Sequence, residues 1–203
     1  MQVEDETNSL SSAEKDALVN HILVGCYSTP VDRAWLEKIV VEDKGITDYT
    51  AHWSAVIDVD PTSESVENVH GLIVLNRGML PSIQHMIDAL SHEYGHHVTL
   101  SYLLTSRNLA NDMQVLVQTR LPVDYYRARN ILLSYQHLDP HYAKGWDACD
   151  KEIMAEDYRV LFTTSKAPHR MAAKHGSPPH FVRDWIWSLF DPRYHPGVNW
   201  PFP

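Results

Sequence analysis

The residues best suited to chemistry are His92 and His96, four positions apart in the segment SHEYGHHV, with Glu93 directly after the first. Residues four apart lie one turn apart on the same face of a helix, so both imidazoles can bind one zinc ion. A glutamate beside them cannot reach the same ion from its angle, but it can act as general base on a metal-activated water. The chain has 13 histidines, so this pattern could arise by chance and its surroundings must decide.

The segment after Pro81 has a helical pattern that continues to about Leu104, and its apolar face avoids both histidines. At about 100° per residue, one apolar stripe is formed by Ile83, Ile87, Leu90, Tyr94 and Val98. His97 points toward the apolar flank and is not predicted to be a ligand. Gly95 costs about 1 kcal/mol relative to alanine inside a helix. Its presence therefore indicates that another backbone, or the substrate, approaches closely at this position.

A catalytic zinc ion needs a third protein ligand and keeps a fourth position for water. The next segment with suitable residues is DACDKEIMAEDYRVLF, where Glu152, Glu156 and Arg159 share one face of a predicted helix. A carboxylate from this face would complete a set of two histidines and one glutamate. The alternative is that the acidic face is solvated and binds nothing.

The first 80 residues predict a small mixed sheet with two helices. Ser11 or Ser12 caps a helical pattern that reaches Cys26, and a short helix then leads into a strand at Lys38–Glu42. Further strands are predicted at 52–60 and 70–78, with a polar loop at 61–68 between them.

Helices dominate the remainder of the sequence. They are predicted at 81–104, 109–119, 123–137, 148–163 and 178–190, and a proline-rich tail from residue 191 is expected along the surface. A sheet followed by helices predicts an α+β fold. We expect one domain over 1–203, with helices and sheet at 1–80 and a helical part with the zinc site at 81–203.

Composition restricts the partners. Seventeen basic and 26 acidic residues give a net charge of −9, so neither nucleic acid nor an anionic membrane is expected to bind. The sequence contains no run of 18 apolar residues, so no membrane span is predicted. Cys26 and Cys149 are too few for a disulfide framework and are predicted to act as small hydrophobes, with one bridge left open.

Two short motifs together resemble a known family. HEYGH followed by EIMAEDYR is similar to the gluzincin catalytic domain of the anthrax lethal factor type, to which the Pro-Pro endopeptidases also belong. The resemblance covers residues 35–190 loosely and the two motifs closely. It implies a zincin-like fold, Glu152 as the third zinc ligand, and Glu156 as a supporting partner of a ligand histidine. It also implies that the substrate extends against residues 71–76 by strand addition.

The chain departs from the family pattern in two places. The family usually has a tyrosine seven residues before the ligand glutamate, where it donates a hydrogen bond to the tetrahedral intermediate. Gly145 occupies that position here, so Tyr142, on the loop that leads to Glu152, is our candidate for the donor. The 55 residues between His96 and Glu152 are the second departure, and we expect them to form extra helices over the cleft.

The resemblance implies a peptidase with one zinc ion that hydrolyses peptide or protein substrates, most simply an endopeptidase, with Glu93 as general base. Two alternatives stay open. One is a regulator in which a zincin-like domain senses or cleaves a repressor. The other is an inactive zincin-like domain that binds a protein partner, which would suit the missing tyrosine. The N-terminal segment is acidic and unlike a signal peptide. If the chain follows the resembled family, whose members are often secreted, it is expected to be secreted and to lack its signal here; otherwise it is expected to be cytoplasmic.

Overall fold

A computed structural model of the protein describes residues 1–105, 110 and 112–190. Four strands in this part form one mixed sheet in the order β1-β2-β4-β3. The strands are β1 (Gln2–Asp5), β2 (Leu36–Glu42), β3 (Ala51–Val59) and β4 (Val66–Asn76). β1, β2 and β4 run parallel to one another, whereas β3 is antiparallel to β4. The prediction of a mixed sheet in an α+β protein is confirmed.

The three predicted strands are present, but two details of the prediction were wrong. β4 begins at Val66, inside the predicted loop 61–68, because its polar residues pair with the end of β3. β4 is also bonded to β2 on one side and to β3 on the other. A substrate therefore cannot add a strand against residues 71–76, since this strand has no free edge.

The helices of the described residues follow the predicted order. They are α1 (Ser12–Asn20), α2 (Pro30–Trp35), α3 (Ile83–Thr105), α4 (Met113–Gln118), α5 (Val123–Arg129), α6 (Asp150–Phe162), α7 (Ala172–His175) and α8 (His180–Phe190). A wider π-type turn at His21–Gly25 extends α1, and short 3-10 segments lie at Leu132–His137 and Trp146–Ala148.

Local capping explains where several helices begin and end. The Ser11 hydroxyl accepts a hydrogen bond from the Glu14 amide, and the Glu14 carboxylate accepts one from the Ser11 amide, so Ser11 is the predicted cap. The single helix expected over 123–137 was wrong, because Asn130 adopts a left-handed conformation (φ 60°) that ends α5. Helix α4 is shorter than predicted, α7 was not predicted, and the tail from residue 191 lies outside the described residues.

Helix α3 packs between the sheet and α6, as its apolar stripe predicted. Leu90, Tyr94 and Val98 are fully buried. A Cβ atom added at Gly95 would lie 2.7 Å from the Ala155 carbonyl oxygen on α6, which confirms the predicted close approach of another backbone. The glycine therefore lets the two helices that carry the predicted zinc ligands come into direct contact.

Two expectations from composition can also be compared with the structure. Cys26 and Cys149 are both buried and unpaired, as expected of small hydrophobic side chains. Among the described residues, no helix is long and apolar enough to cross a membrane.

Candidate metal centre

His92 and His96 from α3 and Glu152 from α6 form one buried cluster. Their potential ligand atoms all lie within 4.8 Å of one another. His92 Nε2 is 2.8 Å from Glu152 Oε2, and His96 Nε2 is 3.3 Å from Glu152 Oε1. The two imidazole rings are perpendicular, with centroids 4.9 Å apart. Two nitrogens and one carboxylate that converge in this way could hold a metal ion.

Glu156 supports this cluster from behind His92. The Nδ1 atom of His92 donates to Glu156 Oε2 at 3.0 Å, which leaves Nε2 facing Glu152. Arg159 and Arg170 both donate to the Glu156 carboxylate, at 2.6 and 2.9 Å. Burial alone would raise the pKa of Glu156, but the hydrogen bonds from His92 and both arginines outweigh it and hold that pKa far below its usual range. Glu156 is therefore a permanent anion that fixes the His92 ring.

The electrostatics of the cluster favour a bound cation. Burial alone would lower the pKa of His92, but hydrogen bonds to Glu152 and Glu156 raise it to about 9. Burial alone would likewise raise the pKa of Glu152, yet the charge of His96 and the hydrogen bond from His92 lower it well below its usual value. A metal ion at Nε2 of His92 would replace the proton there and satisfy the same carboxylate.

The cluster opens into a cavity of about 650 Å³. Glu93 is buried in the wall of this cavity, next to its neighbour His92. Residues 48–53, which lead into β3, form another part of the wall, and α4, the loop before α6 and Arg170 contribute further parts. Of the segment between His96 and Glu152, α4 and this loop therefore line the cleft, whereas α5 packs against α8, so the expectation of extra helices over the cleft holds only in part.

Tyr142 lies at the cluster, although its position in the sequence differs from the family pattern. Its hydroxyl donates a hydrogen bond to Glu152 Oε1, the residue is 51% exposed, and it contributes to the cavity lining. Gly145, which occupies the position of the family's tyrosine, has a φ of 96°, a backbone conformation that glycine adopts readily and other residues rarely adopt. The structure thus brings all six sequence-predicted site residues into one region: His92, Glu93, His96, Tyr142, Glu152 and Glu156.

Trp146 is a contact of the cluster that the sequence reasoning missed. Its indole Nε1 donates to Glu152 Oε2 at 2.7 Å, and its ring lies 5.9 Å from that of His92. The sequence does show a tryptophan six residues before Glu152. A buried indole N–H usually has a hydrogen-bond acceptor, so this spacing could have suggested the contact. Trp146 and Tyr142 together give each oxygen of Glu152 a second donor.

The loop that bears these two side chains is held at both ends. Asp139 and Ala148 share a backbone hydrogen bond of 2.9 Å, and the buried Lys151 donates to the carbonyls of Thr119 and Pro140 at 2.6 and 3.3 Å. These contacts fix residues 139–149 against the start of α6. The donors to Glu152 are therefore presented by an anchored loop.

His97 is separate from the cluster, as predicted. Its Nε2 donates to the Asp32 carbonyl at 2.7 Å, and its Nδ1 accepts from the Trp53 indole at 3.2 Å. Burial lowers the pKa of His97 to about 4, so the ring is neutral at pH 7. It joins α3 to α2 and β3 and has a structural role.

No family model matches this chain, and no curated protein or solved structure matches it either. The function must accordingly be argued from the geometry of the cluster and its cavity.

Proposed function

We propose that this protein is a zinc-dependent peptidase of the gluzincin type, most simply an endopeptidase. The observation that carries this proposal is the buried group His92, His96 and Glu152, which opens into a cavity beside Glu93. Two imidazoles and one carboxylate form the ligand set of many hydrolytic zinc sites. Bound zinc would supply a Lewis acid and lower the pKa of a coordinated water toward about 7.

Glu93 is proposed as the general base. It follows His92 on α3, it lines the cavity, and it is not one of the three converging ligands. Its carboxylate can accept a proton from the attacking water and then deliver that proton to the leaving amine. Tyr142 is proposed as the donor to the oxyanion, because its hydroxyl is beside Glu152 and its side chain faces the cavity.

The substrate is proposed to lie along β3, which replaces the earlier expectation for residues 71–76. The main-chain N–H of Asn76 donates to the Thr50 carbonyl, so the main-chain groups of alternate residues, including Ala51 and Trp53, point away from β4. They face the outer edge of β3, where no strand of the described residues pairs. Both of these residues line the cavity. An extended peptide could add to this edge through main-chain hydrogen bonds and so pass the metal group.

Metal content and peptide cleavage test this proposal together. Protein purified without added metal should contain about one equivalent of zinc, and His92→Ala or Glu152→Ala should lose it. His85→Ala is the matched control, since His85 is an exposed histidine on the same helix. Zinc retained in Glu152→Ala would transfer the ligand role to another residue, and no zinc in the parent protein would refute the proposal.

One observation favours a second candidate, an inactive or regulatory zincin-like domain that binds a protein partner. Gly145 stands where the resembled family has its transition-state donor, and Tyr142 is hydrogen-bonded to Glu152. Full zinc occupancy without cleavage of any peptide in a broad library would favour this second function.

A further inference from the structure

Arg170 is the accessible cation of the cavity. Its side chain is 43% exposed and lies in the cavity wall beside Trp146. Lys151 is the other lysine or arginine of the described lining, but only 4% of its side chain is exposed and its ammonium group donates to two carbonyls. A negatively charged group that enters the cavity therefore meets Arg170.

The guanidinium group of Arg170 is already oriented. Its Nε and Nη2 atoms donate to Glu156 Oε2 at 3.1 and 2.9 Å, and its carbon atom lies 4.8 Å from the centre of the Trp146 ring. Within the described part of the chain, Nη1 makes no hydrogen bond. A planar guanidinium that is fixed in this way loses little freedom when it binds a second carboxylate.

Glu156 does not depend on Arg170 alone. Arg159 is almost completely buried and donates to both oxygens of Glu156, at 2.6 and 3.1 Å. One carboxylate thus accepts hydrogen bonds from two guanidinium groups. Because Arg159 is inside the protein, Arg170 is the one of the two that reaches the cavity.

We propose that Arg170 binds a carboxylate of the substrate and so gives the enzyme a preference for peptides that carry one close to the scissile bond. The inference rests on the proposed peptidase function and names its substrate class. The Trp146 side chain contacts both the guanidinium group and Glu152, so a carboxylate bound by Arg170 would lie within a few residues of the reacting bond. This carboxylate is an aspartate or glutamate side chain or a free C-terminus, and the test below separates these sources.

Peptide binding to the Glu93→Gln protein tests the inference without turnover. The probes are end-blocked peptides in which one glutamate is moved through each position, the same peptides with glutamine, and a neutral peptide with a free C-terminus. Calorimetry should show one position, or the free C-terminus, where the carboxylate improves affinity by about tenfold or more, as hydrogen bonds to charged groups do. Adding Arg170→Gln should abolish this preference and Arg170→Lys should reduce it, whereas Lys166→Gln, which changes an exposed lysine outside the cavity, should keep it.

Zinc content separates this inference from the proposed function. Arg170→Gln should keep its zinc, because Arg159 still holds Glu156, and should bind neutral peptides as the parent does. A preference that survives in Arg170→Gln, equal binding of glutamate and glutamine peptides, or no peptide binding at all would overturn the inference. If Arg170→Gln does not fold, an undiminished preference in Arg170→Lys overturns it. Absence of zinc or of cleavage in the parent protein would instead count against the peptidase proposal.

Discussion

Gly95→Ala should push apart the two helices that form the candidate metal centre. The added Cβ would lie 2.7 Å from the Ala155 carbonyl oxygen and 3.1 Å from both Ala155 Cα and Tyr158 Cδ1. Two of these atoms belong to the backbone of α6, so the helices themselves must move. Overpacking of this kind costs about 1–3 kcal/mol, and the better helix propensity of alanine returns about 1 kcal/mol. We therefore expect a net loss of up to about 2 kcal/mol in the free energy of unfolding.

The same displacement should weaken metal binding, since Ala155 and Glu152 are on the same helix and the ligand atoms converge within 4.8 Å. Urea denaturation of the metal-free protein gives the stability, and competition with a chelator gives the zinc affinity. Gln84→Ala, at an exposed position of α3, should change the stability by less than about 0.5 kcal/mol. If Gly95→Ala is as stable as the parent and binds zinc equally well, the close packing of α3 on α6 does not position the ligands.

Three further predictions follow from single contacts. Trp146→Phe keeps an aromatic ring beside His92 but removes the N–H that bonds Glu152, so zinc affinity in chelator competition should fall by about 10- to 100-fold while the melting temperature hardly changes. Tyr142→Phe, measured as zinc-loaded protein, should lower kcat by about 100-fold or more, and an unchanged kcat would exclude Tyr142 as the oxyanion donor. The pKa of His97 is about 4 in the folded chain against an ordinary 6.5, so the unfolded chain takes up the proton first as pH falls. The stabilisation from this neutral ring is complete above about pH 6.5 and is lost as the pH falls through about 4. It corresponds to about 3 kcal/mol in the free energy of unfolding, which urea denaturation at several pH values measures. His97→Gln should remove this part of the pH dependence.

The candidate metal ligands could be predicted from the sequence because their arrangement depends mainly on local helix geometry. The spacing of His92 and His96 on a helix, the apolar stripe beside them and the costly Gly95 are all features of one helix, and the structure has each of them. Glu152 came from the resemblance to a second motif, and it is this residue, with Glu156 behind it, that meets the Nε2 atoms of both histidines.

The errors concern contacts between segments distant in the chain. β1 is a short polar strand that depends on its pairing with β2, and no local sequence pattern predicts it. The interior position of β4 likewise follows from the strand order, so the strand proposed to bind the substrate is β3 and not β4. Trp146 was missed as a partner of Glu152 because its role depends on the path of the loop that follows Gly145.

We propose that Glu93 activates a water for hydrolysis at a zinc ion held by His92, His96 and Glu152. The most direct test is the rate of peptide cleavage by zinc-loaded wild-type and Glu93→Gln proteins with equal metal content. We predict that Glu93→Gln keeps its zinc and its fold but cleaves about 10²- to 10⁴-fold more slowly, because an amide cannot accept the proton of the water. Cleavage by Glu93→Gln at the wild-type rate would contradict the mechanism.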